Sequence, residues 1–303
     1  MNPLSLPRRV VIFSALAAAA LGGGFSTAVL ASNFPPLNVP ANMEVHAGKF
    51  LWAELFTTDP DSATRFYSGV FGWTASTVMQ EGETYTVFAN GNHPVAGLRR
   101  RSTTARSGAS RWVGYIAVPD IKVTLARVAK AGGEIRAPAR AFPEIGSQAI
   151  ITDMEGAPVG LVQSTSGSSP DVDPAPGDWN WFHLLAKSPS TAAEFYRQVF
   201  NYIVIPDSRP GKAGELLLTT GAFNRGGVSA LGDAADAKPG WLGVVRVKDL
   251  TATLSQVRKL GGAVTTEPHD ASFGSRFAII ADPTGGVVGV VEYVNDANPV
   301  NRP

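Results

Sequence analysis

The chain has 303 residues, 44% of them hydrophobic and 17% charged, with a formal net charge of +1. That balance is globular, leaves room for two ordinary domains, and supplies no basic field for holding nucleic acid. The absence of cysteine excludes disulfides, thiolate metal sites and cysteine nucleophiles, and it suits an oxidising compartment.

At the N-terminus, Arg8-Arg9 precede an apolar run over 10–21, then Gly22-Gly23-Gly24 and further apolar residues up to Ala31. A charged start, an apolar stretch and the small-residue end Val29-Leu30-Ala31 read as an export signal over 1–31, cut after Ala31, with the mature protein periplasmic or extracellular. Arg8-Arg9 before Val10-Val11-Ile12 loosely matches a twin-arginine signal. The competing reading is an uncleaved anchor, because residues 10–30 are about 20 in number, enough to span a bilayer. Residues 32–48, rich in Pro and Asn, read as a linker.

Alternation over 50–56 predicts a strand. Thr58 or Asp59 can cap a helix over 60–71 whose first position is Pro60. Ala63, Phe66, Tyr67 and Val70 fall on one stripe of that helix, and Gly72 is a natural stop. Strands follow near 84–89, 95–99 and 112–118. A second helix, near 121–131, turns Leu125, Val128 and Ala129 to the sheet and ends at Gly132-Gly133. Strands near 149–152 and 159–163 complete the pattern.

The whole pattern then recurs. Phe66-Tyr67 returns as Phe195-Tyr196, an offset of 129 residues (195 − 66). The same offset carries Trp52 to Trp181, Trp112-x-Gly114 to Trp241-x-Gly243, Asp120 to Asp249, Gly132-Gly133 to Gly261-Gly262, and Asp153 to Asp282. The chain is a duplication: one domain over 49–164, a Ser/Gly/Pro/Asp-rich linker over 165–178, a second domain over 179–295 and a tail over 296–303. Each domain is two βαβββ-like units. The fold class is α+β, in tandem.

Four features now converge: Glu54-Leu55, Asp59-Pro60, Phe66-Tyr67 and Phe71-Gly72-Trp73 in order, closed by Asp282-Pro283-Thr284-Gly285 and, in degraded form, Asp153-Met154-Glu155-Gly156. The helix-ending Gly132-Gly133 and Gly261-Gly262 belong with them. This arrangement resembles the vicinal oxygen chelate superfamily (glyoxalase, bleomycin resistance, extradiol dioxygenase), in particular its tandem glyoxalase-like proteins of actinobacterial type. The resemblance implies paired units curled into a cup-shaped mixed sheet with helices on the convex side. It also implies, in the enzymes, a divalent metal (Fe, Mn, Ni or Zn) held by His, Gln or Glu inside the cup, with open positions for substrate oxygens.

The resemblance places the ligands seven residues before each helix-starting position and seven after each closing Asp. Here those positions hold Trp52, Val113 and Gly160 in one copy, and Trp181, Leu242 and Gly289 in the other. None has a chelating side chain, so no residue is assigned as a metal ligand.

Strand alternation sets what faces the concave side. With Trp52 inward, Glu54 and Phe56 follow, opposite Val113, Tyr115 and Ala117; the second set is Trp181, His183, Leu185, Val244 and Arg246. Glu54 can bind a metal, act as a general base, pair with a cation, or sit hydrogen-bonded to Tyr115 or backbone at the cup mouth, since an inward carboxylate needs a reason. His183, in Trp181-Phe182-His183, is either functional or packed among aromatics. Glu54 and His183 are therefore the catalytic candidates, and Trp52, Phe56, Tyr115, Trp181 and Arg246 the ligand-binding ones. Gln163 and Glu292 could complete a relocated metal site but are out of phase with Gly160 and Gly289, pointing outward. His93 and His269 lie in turn-like, solvated segments, and His46 in the linker. Arg99-Arg100-Arg101, the densest positive cluster, reads as a solvated turn. Trp112 and Trp241 could stack on a planar ligand but are as well explained by packing at strand edges.

The leading expectation is an exported protein whose two aromatic-lined cups bind a small apolar or planar molecule, its metal site eroded. The alternative is a metal-dependent lyase, isomerase or dioxygenase with relocated ligands that include Glu54 or His183. A third is a structural module with both cups filled by side chains. The expected partner is a small molecule, not nucleic acid, and a membrane only if the N-terminal segment is retained.

Overall fold

Strand β1 (Phe50–Thr57) runs into helix α1 (Pro60–Phe71) through a local set of start and stop signals. Asp59 Oδ1 accepts from the backbone N–H of Ser62, Pro60 occupies the first turn, and Gly72 closes the helix at φ 73°. The computed structural model describes residues 34–80, 82–101, 110–209, 211–232 and 237–293. The signal expected over 1–31 and the tail expected over 296–303 lie outside the described residues. No helix among those described is long and apolar enough to cross a membrane.

The first domain continues with β2 (Thr74–Gln80), β3 (Glu83–Asn90), β4 (His93–Arg100), β5 (Arg111–Ala117), α2 (Ile121–Lys130), β6 (Glu134–Phe142), β7 (Gly146–Thr152) and β8 (Pro158–Ser164). The second repeats it as β9 (Trp179–Ala186), α3 (Pro189–Phe200), β10 (Ile203–Pro206), β11 (Leu216–Thr220), β12 (Phe223–Ala230), β13 (Gly240–Arg246), α4 (Leu250–Lys259), β14 (Ala263–Ala271), β15 (Ser275–Ala281) and β16 (Val287–Tyr293). Each domain forms one curled eight-stranded mixed sheet, in the orders β2-β3-β4-β1-β5-β8-β7-β6 and β10-β11-β12-β9-β13-β16-β15-β14. The βαβββ units of a domain meet where β1 pairs antiparallel with β5, and β9 with β13.

Sequence alternation missed β2 and β6. Both are edge strands, and nearly every residue of β6 is exposed, with Pro138 in its middle, so neither shows an apolar period of two. In α2 the buried stripe is Ile121, Thr124 and Val128 with Leu125 half-buried. Ala129, expected against the sheet, is exposed.

The helix-bearing faces of the two sheets share their cores. One cluster joins Ala53, Leu55, Phe66 and Tyr67 to Leu250, Leu254, Ala278 and Ile280. The other joins Ile116, Ile121, Val128 and Ile151 to Leu184, Phe195, Tyr196 and Val199. Phe50 and Phe182 stack at 4.1 Å across the junction.

The repeated motifs sit here. Tyr67 donates to Asp282 Oδ2 at 2.7 Å and accepts from Trp112 Nε1 at 2.8 Å. Tyr196 makes the reciprocal contacts with Asp153 (3.3 Å) and Trp241 (2.8 Å). Gly133 and Gly262 are glycines because a Cβ would strike Phe195 and Phe66 of the other repeat. Trp112 and Trp241 thus lie on central strands in the inter-repeat core, not at strand edges.

Residues 32–48, expected as a plain linker, are in part packed: Phe34 and Leu37 are each 4% exposed. The segment is tied down where Asn38 hydrogen-bonds the backbone and side chain of Ser166.

Candidate functional site

The two cups begin alike and end differently. In the first, β1 turns Trp52, Glu54 and Phe56 to the concave face, where Trp52 joins Phe34, Leu37, Tyr85, Val113, Tyr115 and Ile145 in a closed apolar cluster. Phe34 meets Trp52 edge-on, with ring centroids 6.0 Å apart, and lies 5.2 Å from Tyr85. The floor of this cup is filled by the chain itself.

Glu54, 1% exposed, accepts from Tyr85 at Oε1 and from Tyr115 at Oε2, each at 2.7 Å. Burial, then the adjacent Glu54 carboxylate, hold both tyrosines well above their ordinary pKa, so both hydroxyls stay donors. Glycine is required on the flanking strands: a Cβ at Gly97 would overlap the Tyr85 hydroxyl, and one at Gly160 the Tyr115 ring. Tyr85 and Tyr115 thus occupy the space in front of Gly97 and Gly160. At the mouth a cavity of about 290 Å³ remains, lined by Glu54, Phe56, Tyr115, Arg99 and residues of β6 and β7.

The second cup has no such plug. A cavity of about 290 Å³ is lined by Trp181, His183, Leu185, Leu242, Val244, Phe277, Val291 and Tyr293, with Arg209, Lys212 and Glu215 among the remaining lining residues. Trp181 Nε1 lies 3.4 Å from His183 Nδ1, and Ser229 Oγ lies 2.8 Å from Nε2. An indole N–H can only donate, so Nδ1 is the acceptor and the neutral ring carries its proton on Nε2, toward Ser229. Burial first, then the cations of Lys212 and Arg209, push the His183 pKa down from 6.5 to about 4. At neutral pH His183 is therefore an uncharged hydrogen-bonding ring and a weak base.

Of the residues singled out in the sequence, Glu54, Phe56 and Tyr115 meet at the first cup and Trp181 and His183 at the second. Trp52 is sealed beneath Phe34, though it also borders a groove of about 320 Å³ between the domains. Arg246, expected inside the second cup, does not line its cavity; Nη1 donates to Pro174 O at 2.9 Å and the guanidinium lies over the Tyr293 ring. Gln163 accepts from the backbone N–H of Ile121, and Glu292 faces Arg276 at 3.5 Å.

Two further placements correct the sequence reading. His269, expected to be solvated in a turn-like segment, is exposed as expected but lies in β14 and borders the second cavity. Arg99, expected in a solvated turn, lies in β4 at the first cup. Sequence reasoning missed Tyr85 and Ser229, which arrive through strand pairing, and Glu215, in the loop just before β11; none belongs to a motif. Glu215 Oε2 lies 3.8 Å from His183 Nε2.

Among the described residues, neither cup presents a donor set free to hold a divalent ion. Both Glu54 oxygens already accept hydrogen bonds, and both His183 nitrogens face partners. Among the described residues, no group of three or more His, Cys, Asp or Glu comes together.

The family model for the Glyoxalase/Bleomycin resistance protein/Dioxygenase superfamily matches residues 49–161 and again 179–289. A protein of Mycobacterium bovis named "Putative glyoxylase CFP32" is 30% identical over 261 residues, covering 84% of this chain and 98% of its own length. The anthracycline biosynthesis protein DauV of a Streptomyces species is 28% identical over 256 residues, covering 80% of this chain and 92% of its own. In fold, the chain is similar to the Mn(II)-bound glyoxalase of Novosphingobium aromaticivorans, with a TM-score of 0.58 at 14% identity over 82% of this chain and 83% of that one. With the duplicated cup-shaped sheets and two matches spanning most of its length, this chain belongs to the Glyoxalase/Bleomycin resistance protein/Dioxygenase superfamily.

Proposed function

We propose that the protein is an exported small-molecule-binding member of this superfamily that works without a resident metal and takes an apolar, planar ligand in its second cup. The observation that carries this reading is the asymmetry of the cups. The first is filled at its floor by Phe34 and Leu37 and keeps its cavity only at an arginine-lined mouth, whereas the cavity of about 290 Å³ in the second is walled by Trp181, Phe277 and Tyr293. Aromatic faces and aliphatic walls favour a flat apolar molecule, and a few convergent polar groups fix its orientation. Ser229 and neutral His183 are such groups. The Streptomyces relative is named for anthracycline biosynthesis.

The donor chemistry supports the metal-free part of the reading: relocated ligands at Glu54 and His183 would each have to give up existing hydrogen bonds. The charged and apolar pattern of residues 1–31 supports export.

Titration of the full chain with 2-naphthol, followed by tryptophan fluorescence and repeated after chelator treatment, tests the reading. Binding that persists without metal and weakens about tenfold or more in Trp181→Ala is expected, as for loss of a central aromatic wall. Stoichiometric Fe, Mn, Ni or Zn in the purified protein, lost in Glu54→Ala or His183→Ala, would overturn it.

A further inference from the structure

We infer that the mouth of the first cup is a second, chemically different site, one that takes the carboxylate of a small aromatic acid. Three of the residues lining its cavity of about 290 Å³ are arginines: Arg99 from β4 and Arg136 and Arg140 from β6. The one acid among the lining residues, Glu54, has both oxygens occupied by tyrosine hydroxyls. It is already engaged on the cup side; of the arginines, Arg99 donates to the neutral amide of Gln80 at 2.6 Å and Arg136 pairs with the exposed Glu134 at 3.1 Å, so the mouth keeps a net positive charge.

The second observation is independent of charge. Gln148, on β7, lines the same cavity, is 6% exposed, and its buried Nε2 has no hydrogen-bond partner. A buried amide donor left unpaired is destabilising, so its presence calls for an acceptor. Phe56, Phe142 and Ile150 supply apolar walls beside these donors. Guanidinium groups and an amide N–H around an apolar slot match an anionic oxygen acceptor carried on a ring.

The position of the arginines explains a strand that otherwise looks ill-made. β6 is an exposed edge with the sequence Glu-Ile-Arg-Ala-Pro-Ala-Arg-Ala-Phe. Bulges interrupt the pairing of β6 with β7 on either side of Ala137, yet Arg136 and Arg140 both line the cavity, and Arg140 stands directly opposite Gln148. In the second domain the equivalent strand, β14, has Thr265 and His269 at these positions, and its cavity contains no residue of comparable charge from that strand. The two cavities thus differ in charge: three arginines and one tyrosine-bound carboxylate line the first, whereas in the second the cations Arg209 and Lys212 are paired with Asp207 and Glu215.

This site is separate from the second cup, so either reading can fail alone. The experiment is calorimetric titration of the full chain with 2-naphthoate and, in parallel, 2-naphthol, two probes that share a ring system and differ in the carboxylate. We expect 2-naphthoate to bind about tenfold more weakly in Gln148→Leu and in Arg136→Gln, the size of one lost hydrogen bond to a charged group. Its affinity should also fall as salt is raised. Arg136 is exposed, so its variant decides the matter even if Gln148→Leu fails to fold. Equal affinity for both probes, or 2-naphthoate binding lost in Trp181→Ala and retained in the Gln148 and Arg136 variants, overturns the proposal.

Discussion

The hydroxyl of Tyr67 lies 2.7 Å from the carboxylate of Asp282, a residue of the other repeat, 215 positions away. Tyr196 and Asp153 make the reciprocal contact at 3.3 Å. These buried bonds bind the first unit of one domain to the closing turn of the other, so the chain has two sheets but shared cores. Tyr67→Phe leaves Asp282 Oδ2 and Trp112 Nε1 without their partner, and we expect a loss of about 2–3 kcal/mol. Tyr196→Phe, which breaks a longer bond, should cost less. Urea unfolding followed by tryptophan fluorescence checks both, and a single transition is expected because neither domain owns its core.

Phe34 closes the first cup over Trp52 and Tyr85. Phe34→Ala removes a buried ring and is expected to cost about 3 kcal/mol. Water should then reach Trp52, and its emission should move to longer wavelength. An unchanged spectrum with unchanged stability would show that the segment does not pack there in solution.

The Tyr85 hydroxyl occupies the space a Cβ at Gly97 would need. Gly97→Ala is expected to destabilise the fold by about 1–3 kcal/mol through overpacking. Combined with Tyr85→Phe, which removes the clashing oxygen, the double variant should lose less than the sum of the two single losses. Additivity of the two would argue against the contact.

His183 offers a pH test. Its folded pKa lies near 4, below the ordinary 6.5, because burial and then the cations Lys212 and Arg209 disfavour the charged ring. Between these values the unfolded chain binds a proton that the folded chain does not, so stability should fall as pH drops from about 6.5 toward 4. Above about 6.5 this component is flat. A His183→Gln variant should lose that part of the pH dependence, and an NMR titration should place the ring's midpoint near 4.

Much of the architecture was legible because its signals are local. Asp59, Pro60 and Gly72 bound α1 by cap, ring and left-handed turn, and Asp120 and Asp249 start α2 and α4 in the same way. The offset of 129 residues revealed the duplication by comparison of the chain with itself. Alternation along β1 put Trp52, Glu54 and Phe56 on one face for the same reason: a strand has a period of two. The edge strands β2 and β6 escaped because their side chains meet mostly solvent, so no apolar period was written into them.

The sequence by itself determined the repeat, the helix ends and the inward face of β1. Only the tertiary structure decided that Phe-Tyr, Gly-Gly and the closing Asp serve the junction between repeats, that Phe34 fills the floor of the first cup, and that Arg99 and Gln148 share the cavity at its mouth with β6. Each of these depends on which distant residues meet across paired strands and packed helices, and spacing along one chain does not encode that.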